Sequence, residues 1–276
     1  DNNTYMHAGR YVYLLTDIPN AAVFFSINNS YVSIVYEPPY RYYINASYLQ
    51  DGKYLLNITI NNTAYTFLIY FIIDQSKPSV SISIGNYTWL NATDTIEISS
   101  FDNYELDHID VWIDGHIYLV SCENTILINI SDLTIEDGYH NLTIVAMDKA
   151  QNAIITKIFF YRDTEKPQIF IETQCVVLSG SIVINLNISD NMNLSYMLML
   201  IDGYKYANYS LYGKQAYMNI SVDTYSLDDG NHTFTIIVWD QANNSISAII
   251  IRIIDNTPPT ISNVTYPETI SLESEY

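Results

Sequence analysis

Leu227-Asp228-Asp229-Gly230-Asn231-His232-Thr233-Phe234-Thr235-Ile236-Ile237-Val238-Trp239-Asp240-Gln241-Ala242-Asn243-Asn244 reads as a turn, a strand and a second turn. A Gly after an acidic residue supplies backbone freedom that a tight turn needs, and the apolar run between the turns has strand character. The pattern is written three times: Asp51-Gly52-Lys53-Tyr54 leads to Asp74…Pro78, Asp137-Gly138-Tyr139-His140 to Asp163…Pro167, and Asp229-Gly230-Asn231-His232 to Asp255…Pro259. Asp74 to Asp163 is 89 residues and Asp163 to Asp255 is 92, so the repeating unit is a domain of roughly 90 residues in tandem. Chains built this way serve as stalks, filaments or coats. The expected divisions are residues 1–74, 75–163 and 164–255, with a tail over 256–276.

Further strands are expected at Thr95–Ser99, Ile109–Ile113, Leu142–Met147 and Ile182–Ile188, with turn residues between them. No stretch carries a capped 3.6-residue apolar period over a dozen positions, so helices should be nearly absent. Short, regularly spaced strands imply an all-β chain of tandem antiparallel sandwiches.

At this point the chain resembles the bacterial and archaeal immunoglobulin-like repeat domains of cell-surface proteins. The resemblance lies in the Asp-Gly-x-His turn before a long strand and the Asp-x-Ala-x-Asn turn after it, at 227–244 and again at Asp137–Asn152. An Ile-Asp-Gly turn recurs at Ile113-Asp114-Gly115 and Ile201-Asp202-Gly203. The match is good from Asp74 to Asp255. The first copy keeps Asp-Gly-Lys-Tyr but has Asn61-Asn62-Thr63 in place of Asp-x-Ala-x-Asn. The family implies a fold and a cell-surface setting, not a chemistry.

His140, His232 and Tyr54 share one repeat position, where a side chain reaching back to a backbone carbonyl would act as a corner group. If strands run A, B, C, C′, E, F, G, the start of A and the B–C and F–G loops share one end of each domain. That gathers Asp74, Asp102, Asn103, Asp148 and Asn152 in the second domain, and Asp163, Asp190, Asn191, Asp240 and Asn244 in the third. Such oxygen ligands suit Ca²⁺, which would stiffen the domain junctions. Ordinary turns use the same residue types. No other cofactor is required.

The chain of 276 residues has 11 basic and 30 acidic side chains, a net charge of −19, and 49% hydrophobic residues, enough for two or three small cores. Such a surface repels nucleic acid and anionic lipid. The longest apolar run, Ala64 to Ile73, is about half the roughly 20 residues a membrane-crossing helix needs. The chain opens on Asp1, as a processed or excised piece would.

Sixteen Asn-x-Ser/Thr acceptors are present: Asn2, Asn28, Asn45, Asn57, Asn61, Asn86, Asn91, Asn129, Asn141, Asn187, Asn193, Asn208, Asn219, Asn231, Asn243 and Asn263. With 27 Asn and 45 Ser plus Thr, chance placement gives on the order of four or five. The density implies covalent N-glycans and an extracellular location, and with the family resemblance it points to an archaeal surface protein. At Asn57, Asn141 and Asn219 the acceptor falls inside a strand, where a sugar would face solvent and block edge pairing.

Cys122 and Cys175 fall in different domains, too far apart for the roughly 7 Å reach of a disulfide. No phosphate loop, metalloprotease helix, Cys pair or nucleophile elbow occurs, and His7, His108 and His116 are isolated, so an enzyme is not expected.

The first copy lacks the Asp-x-x-x-Pro opening and a convincing strand A. The tail has that opening, then strand-like runs at Thr260–Val264 and Thr269–Leu272. Thr260, Ile261, Val264, Ile270 and Leu272 are therefore candidate assembly residues, adding strands to the first domain of another copy in a homopolymer. A slice of a longer repeat protein fits the same pattern. An adhesin stalk that binds surface glycans, or an accessory region of a secreted enzyme, are the other function classes.

Overall fold

The computed structural model describes residues 4–14, 21–61, 65–172 and 176–263. These divide into two compact units, residues 1–164 and 165–276. Nearly all regular structure is β, interrupted by one-turn 3-10 segments at Ala46–Tyr48, Ile130–Asp132 and Thr224–Ser226.

The first unit contains two sandwiches. In the first lie β1 (Thr4–Met6), β2 (Arg10–Leu14), β3 (Val23–Ile27), β4 (Ser30–Val35), β5 (Tyr40–Ile44), β6 (Gly52–Ile60) and β7 (Tyr65–Ile73). Its larger sheet runs β1-β7-β6-β3-β4, with β1 parallel to β7, and its smaller one is the pair β2-β5. Alternation aims Val23, Phe25, Leu56, Ile58 and Phe71 into one core.

The second sandwich is built from β8 (Ser79–Ile82), β9 (Thr88–Leu90), β10 (Thr95–Phe101), β11 (Leu106–Ile113), β12 (His116–Ser121), β13 (Thr125–Asn129), β14 (Gly138–Asp148) and β15 (Ala153–Arg162). Its sheets are β13-β10-β8 and β12-β11-β14-β15-β9, with β9 parallel to β15. Ile96, Ile98, Val111, Leu142, Ile144 and Phe160 fill the space between them.

The second unit repeats this plan with β16 (Gln168–Glu172), β17 (Val177–Leu178), β18 (Ser181–Ser189), β19 (Leu194–Ile201), β20 (Tyr204–Ser210), β21 (Gln215–Asp223), β22 (Gly230–Asp240) and β23 (Ser245–Ile254). The sheets are β16-β18-β21 and β17-β23-β22-β19-β20. An A-B-E sheet facing an A′-G-F-C-C′ sheet is the immunoglobulin-like sandwich.

The structure refines the expectation for the first domain. Its parallel A′ strand is present as β1, and what is absent among the described residues is the antiparallel strand A that β8 and β16 supply elsewhere. The consequence is visible in burial. Val12 and Leu14 of β2 stay half-buried, whereas the core residues of β10, flanked on both sides, are sealed. In the tail, Thr260 to Asn263 are not in a strand, because nothing in this chain pairs with them among the described residues. Val264, Ile270 and Leu272 lie outside those residues.

One expectation about the acceptors is corrected. Asn57 on β6 and Asn141 on β14 cannot guard an edge, since β6 lies between β3 and β7, and β14 between β11 and β15. A sugar there would leave the face of the sheet. Asn219 on β21 does occupy an edge strand.

Candidate functional site

Each domain closes its β-sandwich with the same three-part corner. Tyr54 donates its hydroxyl proton to the Gln50 carbonyl at 2.9 Å, and a ring N–H does the same from His140 to Glu136 at 2.9 Å and from His232 to Asp228 at 2.7 Å. The corner role expected of this repeat position is therefore met by both side-chain types. The second part is the residue that opens the β3–β4, β11–β12 or β19–β20 turn. Asn28, Asp114 and Asp202 accept from the backbone N–H of Leu55, Asn141 and Thr233, the residue after each corner group, at 2.9, 2.9 and 2.8 Å.

In the two histidine copies the turn carboxylate also takes the second ring nitrogen, Asp114 from His140 at 2.6 Å and Asp202 from His232 at 2.5 Å. Hydrogen bonding to Asp202 and to the Asp228 carbonyl raises the His232 pKa, and Asp202 is held below its usual range by the Thr233 N–H and by His232. The third part is the acidic residue of the Asp-Gly turn, which clasps the chain leaving the domain. Asp51 accepts from Gln75 N at 2.8 Å and Ser76 Oγ at 2.6 Å, Asp137 from Thr164 N at 2.9 Å, and Asp229 from Asn256 N at 2.7 Å and the Thr257 hydroxyl.

At the opposite pole of the second domain, the expected acidic residues converge. Asp74, Asp102 and Asp148 are 0%, 8% and 1% exposed, and each offers a carboxylate oxygen within 4.8 Å of the others. Local N–H groups hold part of each: Ser76 donates to Asp74 Oδ1 at 3.3 Å, Tyr104 to Asp102 Oδ2 at 2.9 Å, and Asn152 to both oxygens of Asp148 at 2.8 and 2.7 Å. Asp74 Oδ2 and Asp102 Oδ1 are buried without a hydrogen-bond partner. Burial, then the charges of Asp102 and Asp148, push the Asp74 pKa up to about 6. Asn152 also donates to the Asp74 carbonyl at 3.0 Å. Asn103 is exposed.

In the second unit, Asp190 and Asp240 are likewise buried. Asp190 Oδ1 accepts from Met192 and Asn193, both at 2.8 Å, while its Oδ2 has no hydrogen-bond partner. Asn244 donates to both oxygens of Asp240, whose pKa is raised by burial and by Asp190 against the pull of those bonds. Asn191 is half-buried. In the first unit, Asp163 is fully buried and donates its N–H to the Leu90 carbonyl at 2.9 Å.

None of the acceptor asparagines within the described residues is buried; Asn2 lies outside them. At Asn28, Asn45, Asn61, Asn86 and Asn193 the side-chain oxygen accepts a backbone N–H, a bond that does not use the nitrogen a sugar would take. Asn57 faces outward but has its Oδ1 buried without a partner. Cys122 is an exposed free thiol, and Cys175 lies outside the described residues. No helix among the described residues is long and apolar enough to cross a membrane.

No family model matches the chain, and no curated protein matches it. Solved structures do. The fibronectin(III)-like modules of Clostridium thermocellum CbhA are 15% identical over 68% of this chain and 100% of theirs, with a TM-score of 0.42. Three N-terminal domains of the bacteriophage RB49 highly immunogenic outer capsid protein are 10% identical over 93% and 97%, with a TM-score of 0.44. Sidekick-1 immunoglobulin domains 1–5 are 12% identical over 93% of this chain and 58% of theirs, with a TM-score of 0.37. At these identities and scores no residue role and no activity passes to this chain.

Proposed function

We propose that this chain is a structural subunit of an extracellular, N-glycosylated surface assembly, a filament, sheath or layer, whose copies join head to tail. One observation carries the reading: among the described residues the β2-β5 sheet has two strands where the corresponding sheets have three, and Val12 and Leu14 beside that edge are half-covered. In the complete domains the missing strand follows directly on a Pro, at Pro78 before β8 and Pro167 before β16. The tail repeats that arrangement at Pro259 and then offers Thr260-Ile261-Ser262-Asn263-Val264, with Ile261 84% exposed. Strand addition from the tail of one copy to β2 of the next would complete the sheet and seal the half-covered core. The heterologous geometry of such a contact yields open polymers.

Electron microscopy and sedimentation of the purified protein, with and without residues 257–276, test this. The full chain should polymerise and the shortened one should stay monomeric, regaining β2 pairing when a peptide of residues 257–276 is added. Polymer formed equally by the shortened protein overturns the reading.

A second reading, a glycan-binding adhesin stalk, is favoured by one surface. On the outer face of the β9-β15-β14 sheet, Tyr87, Tyr139 and Phe159 lie near-parallel, with Tyr139 and Phe159 centroids 5.5 Å apart, and Trp89 stacks on Tyr161 at 4.4 Å. Tyr87 and Tyr139 are 58% and 50% exposed, a platform on which a sugar ring can lie. Oligosaccharide binding by monomer, lost in Tyr139→Ala, would support it.

A further inference from the structure

We propose that Asp74, Asp102 and Asp148 bind a Ca²⁺ ion that locks the junction between the first and second domains. The proposal is independent of how copies assemble. Three carboxylates meet here in a space closed to solvent, and among the described residues no Lys or Arg forms an ion pair with any of them. Hydrogen bonds account for both oxygens of Asp148 but for only one each of Asp74 and Asp102. The oxygens left over are buried and unpartnered. Burying an unpaired carboxylate is costly, and burying several together more so, unless a cation neutralises them.

The spacing fits a hard divalent ion. Ca²⁺ takes oxygen ligands at about 2.3–2.6 Å, so two ligands on opposite sides of one ion stand about 4.8 Å apart. One oxygen from each of the three carboxylates lies within that distance of the other two. Ca²⁺ tolerates irregular geometry and fills its remaining positions with carbonyls and water, whereas Mg²⁺ demands a near-octahedral set.

The ligands come from three places in the chain: Asp74 ends the first domain, Asp102 follows β10, and Asp148 closes β14. Direct bonds between the domains surround them. Tyr5 donates to Glu105 at 2.8 Å, His7 bonds to the Ala150 carbonyl, and Asn152 donates to the Asp74 carbonyl at 3.0 Å. An ion joining Asp74 to the two loops would add to that set the links least able to shift.

The test uses the full chain stripped with chelator. Calorimetry should show the first-unit transition rise by several degrees on adding Ca²⁺, and Tb³⁺, which emits when a nearby aromatic ring sensitises it, should light up beside Tyr5 and Tyr104. Asp102→Asn should bind one equivalent of Tb³⁺ fewer, or bind that equivalent about tenfold or more weakly, because affinity follows ligand charge. In chelator the same variant should melt at or above the parent, since one unpaired charge has gone. This crossing separates an ion site from a merely structural hydrogen-bond cluster, for which the substitution would lower melting in either condition. Identical first-unit melting of the parent in chelator and in millimolar Ca²⁺, Tb³⁺ binding by Asp102→Asn with both stoichiometry and affinity unchanged, or stabilisation by Mg²⁺ alone would each overturn the proposal.

Discussion

At the corner of each sandwich, two side chains change together. His140 faces Asp114 and His232 faces Asp202, while the first copy, with Tyr54 at that position, has the neutral Asn28 in the turn. A carboxylate is used where a ring nitrogen can answer its charge, and an amide where only a backbone N–H must be held. The signs of the shifts give a pH profile for the second unit. The raised His232 pKa contributes stability that is full below about pH 6.5 and lost as pH climbs through the folded value; the depressed Asp202 pKa contributes above about pH 4 and is lost as pH falls through its folded value. Urea melts should therefore show a plateau between those limits, with an alkaline decline that His232→Gln flattens. The turn itself needs φ of 50° at Asp202 and 82° at Gly203, a left-handed pair that only glycine adopts freely at the second place. Nothing crowds a side chain at Gly203, so Gly203→Ala should lose about 1–2 kcal/mol of stability in urea through the backbone alone. The corner side chains were legible in the sequence because the repeat aligns them. Their turn partners were not, because an Asp before Gly already has a sufficient local explanation; the paired change from Asp–His to Asn–Tyr was the available signal.

Among the elements, five long strands were legible and the shortest ones were not. β10, β11, β14, β18 and β22 alternate over seven or more residues, and each carries that alternation into burial. β1 and β17 span three and two residues, too few for any period to register, and they are held by parallel pairing that sequence spacing does not announce. Asp74, Asp102 and Asp148 were legible through topology, which puts their loops at one end of the domain; Asn103, expected with them, is exposed instead. That two of its oxygens lack partners required coordinates. Within the second domain, Phe160 of β15 is among the largest fully buried side chains, so Phe160→Ala should cost about 3–5 kcal/mol, read from denaturant unfolding of the first unit. At the edge of β2, Val12→Pro removes a backbone donor from the strand, and the expected outcome in an assembly assay is shorter or absent polymer.

For the whole molecule, a net charge of −19 sets copies against one another before any contact forms. Polymer yield should rise as NaCl is increased from about 10 to about 150 mM, because screening shortens the reach of that repulsion to roughly 8 Å; light scattering across the series checks it. The parallel A′–G pairing bears on a different duty. In the second domain the chain enters before β9 and leaves after β15, and the two run side by side in the same direction, flanked by bonds from Tyr87 N to the Phe159 carbonyl and from Asp163 N to the Leu90 carbonyl. Tension applied through the chain ends would drag these strands in opposite senses, so their hydrogen bonds would strain in shear all at once rather than unzip singly. β1 with β7 and β17 with β23 repeat the parallel pairing, so each sandwich would carry its own brake against being pulled open.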